Sequence, residues 1–290
     1  MFLENARKGN NAGWIYFLTI MLCFLAATLS AFLIAEYTYI DPLEKNKTLA
    51  SLLLPFCFIL AELLFCVTYL HRRPPLSLFT SFQKIRFYRI LFGFFVWLGL
   101  LVAVELASAL ILKVEYQFNF SISAFLILFG ISFSLLLVQS LTEELFFRGY
   151  LMQGLYLLFS NRYLPVLISA VLFALMHGPN PENEQFGYAL MFGYYFVTAL
   201  FLGFITVLDQ GLEQAIGIHA ATNVFGALLV GYEGSVLQTD SLWLTKDPDG
   251  KVMALLSILV IVLYLFISRY FLKYLPLKYV FSKIEKNVEA

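Results

Sequence analysis

Three short polar constellations interrupt otherwise apolar sequence. The first is Thr142-Glu143-Glu144-Leu145-Phe146-Phe147-Arg148-Gly149, the second Phe173-Ala174-Leu175-Met176-His177, and the third His219-Ala220-Ala221-Thr222-Asn223. An ionisable side chain at bilayer depth costs about 2.5–3.5 kcal/mol on insertion scales, so such residues face a bundle interior and usually serve a purpose. On a helix, Glu144 and Arg148 are one turn apart and share a face. Glu143 is rotated about 100° from Glu144. Glu144 is therefore expected to hold Arg148, while Glu143 points elsewhere as an unpaired carboxylate. Desolvation set against a nearby cation is how a carboxylate is poised as a general base. Each group also has a plainer reading. Ser140-x-x-Glu143 fits a capping box opening a helix at Glu143, and acidic residues suit a first helical turn. His177, just before Gly178-Pro179, suits a helix C-terminus. His219 and Asn223 suit interhelical hydrogen bonding, with the intervening alanines allowing close packing.

Taken together, one carboxylate, two imidazoles and an amide supply what hydrolysis by an activated water needs: a base and donors to an oxyanion, with no Ser or Cys nucleophile. Two histidines and a carboxylate (Glu143, His177, His219) are also a metal-ligating set for a divalent ion such as zinc. The residues alone leave both ways of activating water open. There is no His-Glu-x-x-His, the usual zinc-peptidase helix. The remaining histidine, His71, reads as solvated in a basic loop. Glu62 and Glu105 have no patterned partner and read as buried polar contacts.

The elements that must position these groups are membrane helices. Of the 290 residues, 61% are hydrophobic and 13% charged, against about 25% charged in soluble domains. The formal net charge is zero, which leaves no basic footprint for nucleic acid. The apolar runs are continuous rather than alternating, which excludes an outer-membrane barrel. The fold class is all-α, a polytopic transmembrane bundle of eight or nine helices. Nine apolar segments are readable, at about 14–35, 48–70, 90–112, 121–141, 143–159, 163–177, 187–208, 212–230 and 252–271, and the short fifth or sixth is the candidate for not crossing. The first is long enough to span and is not read as a cleavable signal peptide. Between the first two lies a loop with Asp41, Glu44, Lys45 and Lys47. After the second comes the most basic loop, with Arg72, Arg73, Lys84, Arg86 and Arg89. Residues 180–185 form a polar loop, and the tail carries Lys273, Lys278, Lys283 and Lys286. The positive-inside rule gives a mixed answer: it puts the N-terminus and the basic loop in the cytoplasm, with Glu143 and His177 towards that side, while the basic tail falls outside with nine crossings and inside with eight. The three cysteines, all in apolar runs, read as small buried hydrophobes rather than a disulfide framework. Three regions follow: N-terminal transmembrane helices (1–119), a core carrying the motifs (120–231), and a loop, last helix and basic tail (232–290).

The three motifs, in this order and spacing, resemble the CAAX protease and bacteriocin-processing family, also called the ABI family, which includes the type II CAAX prenyl endopeptidases. Its pattern is Glu-Glu-x-x-x-Arg, then Phe-x-x-x-His, then His-x-x-x-Asn or Asp, and the match covers about residues 120–231. The resemblance implies an intramembrane endopeptidase acting on a membrane-associated protein or peptide, CAAX-like and lipidated in the eukaryotic members. It also implies a place in the inner membrane of a bacterium, with lipid and a peptide as partners. By the same resemblance, Glu143 and His177 activate water, His219 and Asn223 stabilise the oxyanion, and Glu144 and Arg148 form a supporting ion pair. Older descriptions of the family as metalloproteases keep the metal in view. Other relatives are linked to bacteriocin self-immunity, so a non-catalytic immunity or scaffolding factor is the competing expectation.

Overall fold

A computed structural model describes residues 1–37, 44–159 and 161–282. Asp41, Lys283 and Lys286 lie outside the described residues. The fold is an all-α polytopic membrane bundle. Among the described residues, six helices are long and apolar enough to cross a bilayer: α1 (Gly13–Tyr37), α2 (Lys45–Leu70), α3 (Phe87–Leu112), α4 (Ile122–Leu158), and two that follow the short α5 (Tyr163–Met176), namely α6 (Tyr188–Asp209) and α8 (Gly250–Phe271). Between these last two lies α7 (Glu213–Val224), extended by the π-helical turn Phe225–Leu229. The outer surface is greasy: Phe17, Leu110, Ile111, Phe266 and Tyr270 are all exposed. Such a surface is suited to lipid, and only helices and closed barrels satisfy their backbones there.

The nine apolar segments of the sequence become eight principal helices because the fourth and fifth are one. No helix begins at Glu143. The chain runs unbroken from Ile122 to Leu158, a length of about 55 Å at 1.5 Å per residue. Ser140 caps nothing, and its hydroxyl donates to the Leu136 carbonyl one turn back. The charged pair looked like a boundary, yet Arg148 and His219 compensate the carboxylates, so the helix has no need to stop. The eighth segment becomes α7, most of which is buried, making it an inner helix surrounded by the others. The polar loop after His177 contains a short helix, Glu182–Phe186.

A three-stranded sheet, unforeseen in the sequence, sits at one end. Strand β3 (Trp243–Thr245) pairs antiparallel with β1 (Tyr116–Phe118) and parallel with β2 (Val230–Tyr232). The opposite end holds the surprise of the basic loop. Arg73 and Arg89 are buried and Arg86 is largely so. Arg86 grips Glu213 through Nε (3.0 Å) and Nη2 (2.7 Å) and reaches Asp209 at 3.1 Å, while Arg89 also binds Asp209. Of the basic residues in this loop, Arg86 and Arg89 pin the α6–α7 corner to the start of α3. His71 is likewise buried rather than solvated. It bonds the Asn10 carbonyl through Nδ1 and the Tyr150 hydroxyl through Nε2, both at 2.8 Å.

Helices α3 and α7 approach so closely that backbone meets backbone. A Cβ at Gly217 would stand 2.2 Å from the Ile90 carbonyl oxygen, and one at Gly93 2.8 Å from that of Gln214. Trp97 adds a hydrogen bond to Thr222 at 2.8 Å. This seam sets the height and rotation of the helix that carries His219 and Asn223.

Candidate active site

Glu143 and Glu144 lie at the end of an α-helical stretch of α4, Leu137–Glu144, that is bracketed by two π-helical turns, Ser132–Leu136 and Leu145–Leu151. Such wide turns change which side chains share a face and are frequent at functional sites. Arg148 lies inside the second turn, 1% exposed, and donates to Glu144 Oε1 at 2.8 Å. The expected ion pair is thus present. Arg148 also donates to the Ala199 carbonyl at 3.3 Å and lies 4.5 Å over the Phe173 ring.

Glu143 does not point away unpaired. Its Oε1 accepts from Gln139 Nε2 at 2.6 Å, and its Oε2 lies 3.6 Å from His219 Nε2 without a hydrogen bond. His219 Nδ1 stands 2.8 Å from Glu144 Oε1. Because a carboxylate only accepts, Nδ1 carries the proton. The imidazole therefore spans the 100° between the two carboxylates, with one nitrogen for each. Glu144 Oε1 receives both Arg148 and His219, and this shared acceptor links the first motif to the third.

Asn223 lies one turn beyond His219, and its amide is engaged. Nδ2 donates to Gln139 Oε1 at 2.7 Å and to Ser140 Oγ at 3.1 Å. Gln139 is the residue that sequence reasoning missed. It stands one turn before Glu143 and joins that carboxylate to Asn223. The i,i+4 rule that found Glu144 and Arg148 would also have found Gln139 against Glu143.

His177 closes α5. Its Nδ1 bonds the Phe173 carbonyl at 2.8 Å, leaving Nε2 for the cavity. The ring lies between Phe173 and Tyr195, with centroids 4.3 Å away on each side. The expected packing of Phe173 against His177 is present, and Tyr195 is an addition from α6. Phe173 also meets His219, with ring centroids 6.2 Å apart, so its ring contacts both histidines.

Glu143, His177, His219 and Asn223 all line one cavity of about 1280 Å³. Its walls are largely apolar, with Leu53 and Phe56 from α2 and Leu101 from α3, and all three strands contribute to it. Glu144 and Arg148 are buried behind that wall. Among the described residues no three His, Cys, Asp or Glu side chains are grouped to hold an ion, so Glu143, His177 and His219 are not drawn together as one ligand set in this arrangement. Glu62 and Glu105 are polar contacts, half-buried: Glu62 accepts from Cys66 Sγ at 3.2 Å and Glu105 from the Tyr116 hydroxyl at 2.5 Å. Among the cysteines, Cys23 and Cys66 are buried, Cys57 is partly so, and all three are free.

A helical membrane protein with a carboxylate–imidazole pair and a second histidine in one cavity is the class that fold and geometry define. Comparison with known proteins narrows it. Residues 124–225 match the family of type II CAAX prenyl endopeptidase Rce1-like proteins, so the resemblance carried by the three motifs holds over the stretch that contains them. The chain is also similar to the uncharacterized protein YyaK of Bacillus subtilis (strain 168), 28% identical over 246 residues that cover 79% of this chain and 82% of the relative. No solved structure matches.

Proposed function

We propose that the protein is an intramembrane endopeptidase that hydrolyses a peptide bond of a membrane-associated protein or peptide by direct carboxylate activation of water. The observation that carries this reading is Glu143 Oε2: a carboxylate oxygen with no hydrogen bond among the described residues, 3.6 Å from His219 Nε2, in a cavity that also holds His177. Gln139 holds the other oxygen and fixes the direction of this one. A water set between Glu143 Oε2 and His177 Nε2 loses a proton to Glu143 as it attacks the carbonyl carbon. Glu143 then returns the proton to the leaving amine. The developing oxyanion lies against His219 Nε2, on a ring that Glu144 holds in place through Nδ1, with Asn223 assisting once its amide turns from Gln139. Arg148 balances the charge of Glu144. No step is routed through a metal.

The apolar wall suits an acyl or prenyl chain, in keeping with CAAX-like substrates, and the six apolar helices with the family match support an integral membrane setting. The inner membrane of a bacterium, with the site towards the cytoplasm, is part of the same proposal. The test is turnover of a lipid-anchored fluorogenic peptide by purified protein in detergent. Glu143→Gln keeps the shape and removes the base, so kcat is expected to fall by about 10²–10⁴-fold. His219→Gln should lower kcat with little change in KM. Equal turnover by wild type and Glu143→Gln, or no turnover by either, would sink the peptidase reading and favour a non-catalytic immunity or scaffolding role.

A further inference from the structure

We infer that the cavity recognises a basic side chain close to the bond to be cleaved, through Glu182 and the rings of Tyr194, Tyr195 and Tyr232. The inference rests on the peptidase reading for the words "bond to be cleaved" but on separate residues for the subsite. Glu182 is 4% exposed. Its Oε1 accepts from the Val236 amide at 2.7 Å and the Ser235 hydroxyl at 3.4 Å, while Oε2 is buried with no hydrogen-bond partner among the described residues. A buried carboxylate oxygen left unpaired is costly, and a charged donor answers it best. Glu182, Tyr194, Tyr195 and Tyr232 all line the cavity of Glu143, and the Glu182 carboxylate lies within electrostatic reach of all three phenols. Aromatic faces around a carboxylate suit an ammonium or guanidinium.

The subsite is tied to the reacting groups by short links. Glu182 lies on the same connection as His177, and Asn183 fastens that connection by donating to the carbonyls of His177 (2.7 Å), Gly178 (3.2 Å) and Asn180 (3.0 Å). Tyr195 stacks on His177 and accepts from Asn180 Nδ2 at 3.0 Å. The subsite is therefore one ring away from His177. The rest of the wall agrees in sign. Glu105, Glu143, Asp247 and Asp249 also line the cavity, and among the described residues no lysine or arginine does. A lysine or arginine of the substrate therefore meets carboxylates of opposite sign on this wall.

The experiment uses acyl-anchored fluorogenic peptides that are identical except for Lys, Gln or Glu in the tripeptide after the anchor. Their binding to Glu143→Gln protein is measured in uncharged detergent, and their cleavage by wild type in parallel. The Lys peptide should bind about 10-fold more tightly than the Gln peptide, a difference of about 1.4 kcal/mol, and the Glu peptide more weakly than either. Adding Glu182→Gln, which keeps an acceptor for Val236, should bring the Lys-to-Gln ratio to within about twofold. Adding Tyr232→Leu should lower it part of the way. Equal binding of the three peptides, or a Lys preference that survives Glu182→Gln, would overturn the subsite. Displacement of bound peptide by phosphocholine without any Lys preference would also overturn it and assign the site to a lipid headgroup. Charge preference in binding with no cleavage would support the subsite and defeat the peptidase reading. Cleavage without charge preference would do the reverse.

Discussion

Phe173 is the side chain on which the charges of the site lean. Arg148 covers its face, His177 stacks beside it, and His219 meets its edge. Behind it, the Glu144–Arg148 pair is fully enclosed, and breaking such a pair from one side leaves a buried charge uncompensated. Arg148→Leu is expected to cost about 3–5 kcal/mol, measured as lost resistance to unfolding in detergent, and to cost more than Glu143→Gln. His71 gives a pH-dependent prediction. Burial, with help from Arg73, lowers its pKa from the ordinary 6.5, although the Asn10 carbonyl opposes this. The unfolded chain therefore binds the proton first. Stability from this residue is complete above about pH 6.5 and is lost as pH falls below that value towards the lower folded pKa. Thermal unfolding between pH 7.5 and pH 5.5 should show this loss in wild type and a flatter profile in His71→Gln. The pairs legible in the sequence, Glu144 with Arg148 and Phe173 with His177, have both members on one helix, where geometry is fixed by spacing. The bonds from His219 to Glu144 and from Asn223 to Gln139 join helices far apart in sequence, and spacing says nothing about those.

At the scale of elements, the decisive contact is the α3–α7 seam. Gly217 lies two residues before His219, and any side chain there would push α7 off the Ile90 backbone. Gly217→Ala is expected to cost about 1–3 kcal/mol by overpacking and to lower turnover as well, because it shifts His219 against two carboxylates. A stabilising or neutral Gly217→Ala, read by thermal unfolding, would show that the seam can relax. The sequence made most helices visible because apolar length alone announces them. It misplaced the break at Glu143, since charges compensated from another helix cannot be told from charges that end one. It missed the sheet because strands of three residues carry no period long enough to see.

Across the whole molecule, the two sides of the cavity are built differently. On one side, α3 and α7 are locked backbone to backbone and clamped at the corner by Arg86 and Arg89 on Asp209 and Glu213. On the other, α1 and α2 face the cavity with apolar side chains such as Ile20, Leu53 and Phe56, joined to α4 by the Thr142 hydroxyl on the Phe56 carbonyl at 3.3 Å, and α2 is jointed where its first part ends at Leu53 and a new helix starts at Pro55. A proline after such a break removes a backbone bond that would otherwise stiffen the rod. A cross-link tying α2 to α4 should therefore abolish turnover of a bilayer-anchored peptide while sparing a short water-soluble one, as followed by release of fluorophore. In the proposed peptidase, one flank would serve as a doorpost and the other as the door. A greasy guest would come in sideways from the lipid, already lying at the depth where the blade is kept, and would never need to be lifted into water to be cut.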